Sequence, residues 1–248
     1  MINDVRNTVL NILNKDNNGY VTPEEFNKYA KQAQLTLFEQ YFHDYSRAVL
    51  KRNNRQHQSG YGDIPKQTEE VIGSFYTSDS LPYSATTTKF ILPSDAYWSK
   101  DVIYDGDVIV ETVPASKALQ MNLLLDASPS EEYPICVVFD NDNTIDPVPV
   151  NYQDSGKAIR VYPSSIISNV QCTYIRYPRD PKWTYSTLSG GEPVFDQSAS
   201  DYQDFELPLD DMDNLVDLIL LYAGTQIRDN AVASAANRNI TTEKQLEQ

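Results

Sequence analysis

Apolar residues near the start of the chain recur at helical spacing. Between residues 4 and 13 the pattern predicts a short amphipathic helix with Val5, Val9, Leu10, Ile12 and Leu13 as its apolar positions. A second helix is predicted to begin at TPEE, where Thr22 is the N-cap, Pro23 occupies the first helical position and Glu25 closes a capping box. No Gly or Pro interrupts the sequence before about Leu50, so this helix is expected to be long.

The long helix carries two apolar stripes. One contains Phe26, Tyr29, Ala30, Ala33, Leu37, Tyr41 and Ala48; the other contains Leu35, Phe38, Phe42, Tyr45 and Val49. A surface helix of a globular protein usually buries a single apolar face. Two stripes therefore predict contacts on two sides, either within one domain or with a neighbouring subunit, and we favour the neighbour.

The apolar period changes after a polar loop and a short predicted helix at PKQTEEVIGSFY. Short runs rich in Val, Ile, Tyr and Thr, separated by Pro, Gly or Asp, predict strands between residues 85 and 185: TTTKFILP, DVIVETVP, PICVVFD, AIRVYP and NVQCTYIRYP. The intervening KALQMNLLL fits either a helical turn or a strand. A second long helix is predicted after residue 204, capped by Asp210 or Asp211 and apolar nearly all round from Leu215 to Ala223.

This order of elements predicts an α+β fold. The N- and C-terminal helices cannot bury their apolar faces alone, so they are expected to form a helical bundle into which a mainly antiparallel β-domain is inserted. The predicted parts are an N-terminal helical part (1–78), a β-rich domain (79–204) and a C-terminal helix packing on the N-terminal helices (205–248).

Composition adds constraints on partners. The net charge is −15, made up of +2 for residues 1–60 (8 Lys and Arg, 6 Asp and Glu) and −17 for residues 61–248 (12 against 29). Such an acidic body repels nucleic acid. No apolar run reaches the roughly 18–20 residues that span a membrane, so no membrane partner is predicted. Cys136 and Cys172 have neither metal-site nor disulfide spacing, which fits a reducing cytoplasm.

Catalytic motifs are missing from the sequence. The two histidines, His43 and His57, have no motif partner, and LSGGEP lacks the Lys-Ser/Thr and following helix of a phosphate loop. We therefore predict a protein that is not an enzyme, with no catalytic residues, no metal ligands and no cofactor.

NKDNNGYVTPEEF (14–26) has the spacing of a calcium-binding loop. Its side-chain ligands would be Asn14, Asp16 and Asn18 with the Tyr20 carbonyl, Gly19 would take the turn position, and Glu25 would close the site. Only two of these ligands are charged, and Asn-Gly followed by TPEE also makes a plain turn before a helix. The turn is the favoured interpretation, and calcium binding stays as an alternative.

YIRYPRDPKWTY (174–185) interleaves basic and aromatic residues: Arg176, Arg179 and Lys182 alternate with Tyr174, Tyr177, Trp183 and Tyr185. Such a segment could bind single-stranded nucleic acid by stacking and charge. In an acidic chain, a protein–protein hot spot is the better interpretation.

Taken together, three stretches resemble structural proteins of crAss-like and related tailed bacteriophages: NNGYVTPEEFNKYAKQAQLTLFEQYF, YIRYPRDPKWTY and DFELPLDDMDNLVDLILLYAGTQIRD. Their joint order is similar to that of ring or adaptor proteins between the portal and the tail. The resemblance implies a virion protein of the head-to-tail connector, assembled in the host cytoplasm. It also implies a homo-oligomeric ring, dodecameric like the portal, that contacts the portal and other tail ring proteins while DNA passes without specific binding.

The predicted interface comes from the apolar helix faces and the Arg/Tyr/Trp segment. Its residues are Phe38, Phe42, Tyr45, Arg176, Arg179, Trp183, Tyr185, Leu215, Ile219 and Tyr222. The large β-region departs from the helical adaptors of short-tailed phages, which leaves the tier of the connector open. The alternative functions are a calcium-binding, EF-hand-like interaction module and a capsid decoration or host-binding protein.

Overall fold

The computed structural model describes residues 1–15, 21–54, 63–124, 128–140, 156–227, 234 and 236–242. The chain is mixed α and β and divides into two compact units: unit 1 is Met1–Val71 with Pro178–Gln248, and unit 2 is Ile72–Tyr177. Unit 2 thus separates the two segments of unit 1 in sequence. The sequence-based division has its boundaries after residues 78 and 204. It therefore assigns residues 178–204 to the β-rich domain, whereas the structure groups them with unit 1.

The helices follow the apolar periodicity. Their bounds are α1 Ile2–Lys15, α2 Pro23–Asn54, α3 Asp63–Gly73, α4 Ala115–Leu123 and α5 Met212–Ile227, and residues 236–242 are also helical. The ambiguous KALQMNLLL is therefore helical in most of its length, as α4.

The predicted capping box at the start of α2 is confirmed. The backbone N–H and the hydroxyl of Thr22 both donate to Oε2 of Glu25, at 3.0 and 2.8 Å, and the Glu25 N–H donates back to the Thr22 hydroxyl at 3.3 Å. This reciprocal pair satisfies backbone donors that the first turn of a helix leaves without partners.

Unit 1 is built on contacts of α5 with α1 and with α2. The first stripe of α2 is buried at Phe26, Ala30, Ala33 and Leu37, and α5 is buried on most sides, as its apolar sequence predicts. Tyr41 on α2 donates a hydrogen bond to the Asp211 carboxylate, which directly precedes α5.

A two-stranded hairpin also belongs to unit 1, formed by β9 (Tyr185–Thr187) and β10 (Pro193–Phe195). An isolated hairpin is marginally stable in water. Here Phe195 stacks on Trp183 with ring centroids 5.9 Å apart and meets Tyr202 edge to face at 5.8 Å, so aromatic packing holds the hairpin.

Unit 2 contains an eight-stranded sheet in the order β1-β8-β4-β5-β6-β7-β3-β2. The strands are β1 Tyr76–Ser80, β2 Tyr83–Ser84, β3 Lys89–Ile91, β4 Ala96–Tyr104, β5 Val108–Thr112, β6 Ile135–Asp140, β7 Lys157–Tyr162 and β8 Val170–Arg176. All neighbouring pairs are antiparallel except β5 with β6. The predicted mainly antiparallel β-region is therefore present.

The core of unit 2 lies on the face of the sheet that receives alternate residues of β8. Val170, Cys172 and Tyr174 point there and contribute to one apolar cluster with residues from the other strands. Within it, Cys172 is in register with Val102 on β4. A smaller cluster forms where α4 packs on β6 through Ala118. Two-residue periodicity explains this burial, because successive side chains of a strand point to opposite faces.

Candidate interaction surfaces

Trp183 is a predicted interface residue that is only 2% exposed. Its backbone N–H donates to Oδ1 of Asn27 at 2.8 Å, and Nδ2 of Asn27 donates to its carbonyl at 3.2 Å. The indole N–H donates to Oδ1 of Asn3 at 3.1 Å, and the Arg6 guanidinium carbon lies 3.8 Å from the ring centroid. These contacts tie the end of YIRYPRDPKWTY to α1 and α2. Trp183 is thus a packing anchor of unit 1.

Gln34 connects the same segment to the approach to α5. It is 1% exposed; its Nε2 donates to the Arg179 carbonyl at 2.7 Å, and its Oε1 accepts from the Glu206 N–H at 3.0 Å. The Glu206 carboxylate in turn accepts from the Arg179 N–H at 2.8 Å. A buried amide that satisfies two backbone groups fixes the positions of both segments.

The two arginines of the predicted hot spot belong to different units. Arg176 is in unit 2, where Nη1 donates to the Tyr177 carbonyl at 3.2 Å and the guanidinium lies near the Phe75 ring. Arg179 is in unit 1, is exposed, and has its Nε 3.9 Å from the Glu206 carboxylate. Tyr185 is also in unit 1, partly exposed and stacked on Trp183 at 5.6 Å. Arg179 and Tyr185 therefore present surface, whereas Trp183 does not.

The helical residues of the predicted interface also differ in how far they are exposed. Phe38, Leu215 and Ile219 are buried within unit 1. Phe42 and Tyr45 on α2 and Tyr222 on α5 are half-buried. Phe42 meets Phe38 edge to face at 5.0 Å, and the Tyr222 hydroxyl lies 3.1 Å from that of Thr36. Binding to a neighbour stays a prediction for all of them, and the half-buried side chains are the ones with surface to offer.

Sequence reasoning missed a set of exposed apolar residues on unit 2. Leu119 and Leu123, one turn apart on α4, are 67% and 78% exposed; Leu124 after the helix is 57% exposed, and Tyr133 is 77% exposed. We call the three leucines, Leu119, Leu123 and Leu124, the α4 patch. The leucines are visible in the sequence KALQMNLLL. Which of them face outward follows only from the structure, in which this segment is a helix with Ala118 buried against the sheet. Exposed apolar side chains that lie near one another are typical of interaction sites.

The calcium-loop residues divide between described and undescribed parts of the chain. Asp16, Asn18, Gly19 and Tyr20 lie outside the described residues. Glu25 is described, and its Oε2 is engaged by Thr22 in the capping box. Among the residues that the structure describes, no group of three or more His, Cys, Asp or Glu side chains is placed to hold a metal ion.

Both cysteine thiols lie in the core of unit 2. Burial raises the pKa of Cys172 to about 12, with smaller contributions from Cys136 and Asp101. Burial also raises the pKa of Cys136, opposed by its contact with the Thr112 hydroxyl at 3.3 Å. Since the thiolate is the nucleophilic form, both groups are held in the unreactive state.

Comparison of the chain with models of protein families and with curated protein sequences found no match. No helix in the described parts of the chain is long and apolar enough to cross a membrane.

Proposed function

We propose that this protein is a non-enzymatic structural ring component of a bacteriophage head-to-tail connector. It binds sister copies and the portal protein, and DNA passes through the ring. The observation that carries the proposal is the meeting of the three phage-like stretches at Gln34. They are far apart in sequence, yet α2, the segment after Pro178 and the approach to α5 are joined there by direct hydrogen bonds. Apart from residues 174–177, the three stretches thus belong to one structural unit.

In this proposal, the helices of unit 1 form the bundle of the subunit. The half-buried residues of α2 and α5, Phe42, Tyr45 and Tyr222, lie at or beside the contact with the next subunit. These side chains combine an apolar body with partial exposure, which suits aromatic residues at protein interfaces.

The α4 patch gives unit 2 a second contact surface. Three large apolar side chains more than half exposed are costly for a free subunit and are stabilised when a neighbour covers them. The acidic charge of residues 61–248 supports the role of a conduit, because a negative surface does not retain passing DNA.

The decisive experiment is electron microscopy of the protein mixed with its portal, together with phage particles that lack the protein. We expect a ring stacked on the portal, and gene-deleted particles with heads that are or have been filled but without properly attached tails. Intact, infectious tailed particles without this protein would end the proposal.

A matched pair of variants tests the α4 patch in the same assay. Leu119→Lys with Leu123→Lys changes two exposed positions, so the melting temperature should stay the same while ring formation is lost. Leu188→Lys changes an apolar residue that is also exposed, in the β9–β10 turn, and serves as the control. Rings formed equally well by both variants would remove the α4 patch from the interface.

A further inference from the structure

A small pocket in unit 2 is lined by an arginine that has no acidic partner among the described residues. The pocket has a volume of about 270 Å³ and is lined by Tyr83, Thr88, Phe90, Arg160, Val161, Tyr162, Ser164 and Ile166. Arg160 Nη2 donates to the Thr87 carbonyl and to the Thr88 hydroxyl, both at 3.1 Å. Its Nε is buried and has no hydrogen-bond partner among the described residues. A buried arginine donor left without a partner calls for an explanation.

The backbone beside Arg160 is held in an uncommon conformation. Thr88 has φ of +53°, in the left-handed region that β-branched residues rarely adopt. Its hydroxyl is thereby placed against the guanidinium, and the buried Thr87 hydroxyl likewise has no hydrogen-bond partner in the described part of the chain. Such strained residues persist where the surrounding structure fixes them, and they cluster at ligand sites.

Positive charge gathers at this place in an otherwise acidic chain. Phe139 has the Lys89 ammonium 5.3 Å and the Arg160 guanidinium carbon 5.7 Å from its ring centroid. Arg160 is the only cationic residue among those lining the pocket, and the apolar part of the lining comes from Phe90, Val161 and Ile166. This combination selects a single negative charge on an apolar stem.

We propose that the Arg160 pocket is a binding site for one carboxylate carried on a short apolar stem. Both N–H bonds of Nη2 are already donated to Thr87 and Thr88 and Nε is buried, so the carboxylate would accept a charge-assisted hydrogen bond from Nη1. The volume is at the small end for ligand pockets, which suits a side chain or a small organic acid.

The composition favours a second copy of this chain as the source of the carboxylate, since 35 Asp and Glu residues stand against 20 Lys and Arg. An acidic side chain of one subunit would then enter the Arg160 pocket of the next, an arrangement that suits a head-to-tail ring contact. In this form the inference rests on the proposed function. The carboxylate site itself does not.

The test uses 4-fluorobenzoate as the probe and 4-fluorobenzamide as its uncharged counterpart, followed by ¹⁹F NMR on the full chain. We expect saturable binding of the benzoate with a dissociation constant on the order of 1 mM and none of the benzamide. Arg160→Lys keeps the charge but removes the Nη1 donor, so binding should weaken about tenfold, or about 1.4 kcal/mol. Arg176→Lys, at an arginine of unit 2 outside the pocket, should bind as the parent does.

A second variant keeps the test decisive if Arg160→Lys fails to fold. Ser164→Trp changes an exposed lining residue and should block the pocket without touching Arg160. Absence of saturable benzoate binding, equal binding of the benzamide, or undiminished binding by the substituted proteins would overturn the carboxylate site.

The source of the carboxylate is distinguished on assembled particles of protein and portal. Release of subunits by 4-fluorobenzoate but not by 4-fluorobenzamide supports a carboxylate from a second copy. Assemblies that persist while the probe occupies the pocket support a free organic acid as the natural ligand. Failure to assemble with the portal would count against the proposed function and would leave the binding measured on the isolated chain unaffected.

Discussion

Gln34 illustrates how a single buried polar residue fixes the structure of unit 1. It is a polar position between the two apolar stripes of α2, yet its amide satisfies a carbonyl at Arg179 and an N–H at Glu206. Both groups belong to segments more than a hundred residues further along the chain. Asn27 does the same for both backbone groups of Trp183.

Replacing Gln34 should therefore destabilise the protein. Gln34→Leu keeps a similar size but leaves two partly buried backbone groups unsatisfied, so we expect the free energy of unfolding to fall by about 1–3 kcal/mol. Gln32→Leu, at an exposed position of the same helix, is the control and should change it little. Urea unfolding with an unchanged m-value measures the difference. Equal stability of the two variants would contradict the role of Gln34 in joining the segments at Arg179 and Glu206.

The capping residue Glu25 predicts a pH dependence. Hydrogen bonds from the Thr22 backbone and side chain hold the pKa of Glu25 below its usual value. A carboxyl with a lowered folded-state pKa contributes stability above its unfolded pKa, and this contribution is lost as pH falls through the folded value.

The stability difference between the parent and Glu25→Gln should thus be present at neutral pH and disappear in acid, in unfolding measured across that range. Glu39→Gln removes the same charge from an exposed position of α2 and is the control. A difference that stays constant down to strongly acidic pH would contradict the carboxylate's role in the cap.

At the scale of elements, α2 combines a buried stripe with a second stripe whose residues range from buried to half-buried. Phe38 is buried and packs on Phe42, which is half-buried. Lys31, on an exposed face, pairs with Asp180 at 2.6 Å, and both side chains are more than half exposed. Exposed ion pairs contribute roughly 0–1 kcal/mol. A substitution at Lys31 should therefore change stability much less than one at Phe38.

Phe38→Asp should prevent folding or lower the free energy of unfolding by about 3–5 kcal/mol or more, because it removes a buried ring and buries a charge. Phe42→Asp should spoil assembly or folding, and Lys31→Asp should cost at most about 1 kcal/mol. Thermal melts and virion infectivity measure these effects. Full infectivity of virions with both aromatic substitutions would show that the second stripe has no contact role.

At the scale of the whole molecule, charge is the feature that most constrains partners. Residues 61–248 carry a net charge of −17, against +2 for residues 1–60. Acidic residues are exposed in turns such as Asp107 and in the loop at Glu132. Duplex DNA should therefore be repelled over most of the surface at low salt and weakly so at physiological salt.

We expect duplex DNA to bind no tighter than about 10⁻⁶ M at physiological salt, as measured by fluorescence anisotropy. If acidic surface charge is what weakens DNA binding, the double variant Asp107→Lys with Glu132→Lys should bind duplex DNA more tightly and with a steeper salt dependence. Tight binding by the parent chain would contradict the conduit role.

The apolar periodicity of the sequence by itself determined α1, α2 and α5, since contacts between residues three or four apart decide a helix and its cap locally. The strands β3, β5, β6, β7 and β8 were predictable because short runs rich in Val, Ile, Tyr and Thr, bounded by turn-forming residues, favour strands. Polar strands such as β1 were not, because their pairing partner β8 lies almost a hundred residues away.

The candidate sites depended still more on tertiary structure. The sequence indicated that Trp183 and its basic neighbours were important, but only the fold decided that Asn3, Asn27 and Arg6 enclose the indole. It likewise decided that Leu119 and Leu123 point outward and that Arg160 meets Thr87. Burial and hydrogen bonding between distant segments are set by the assembled core, and no local pattern along the chain encodes them.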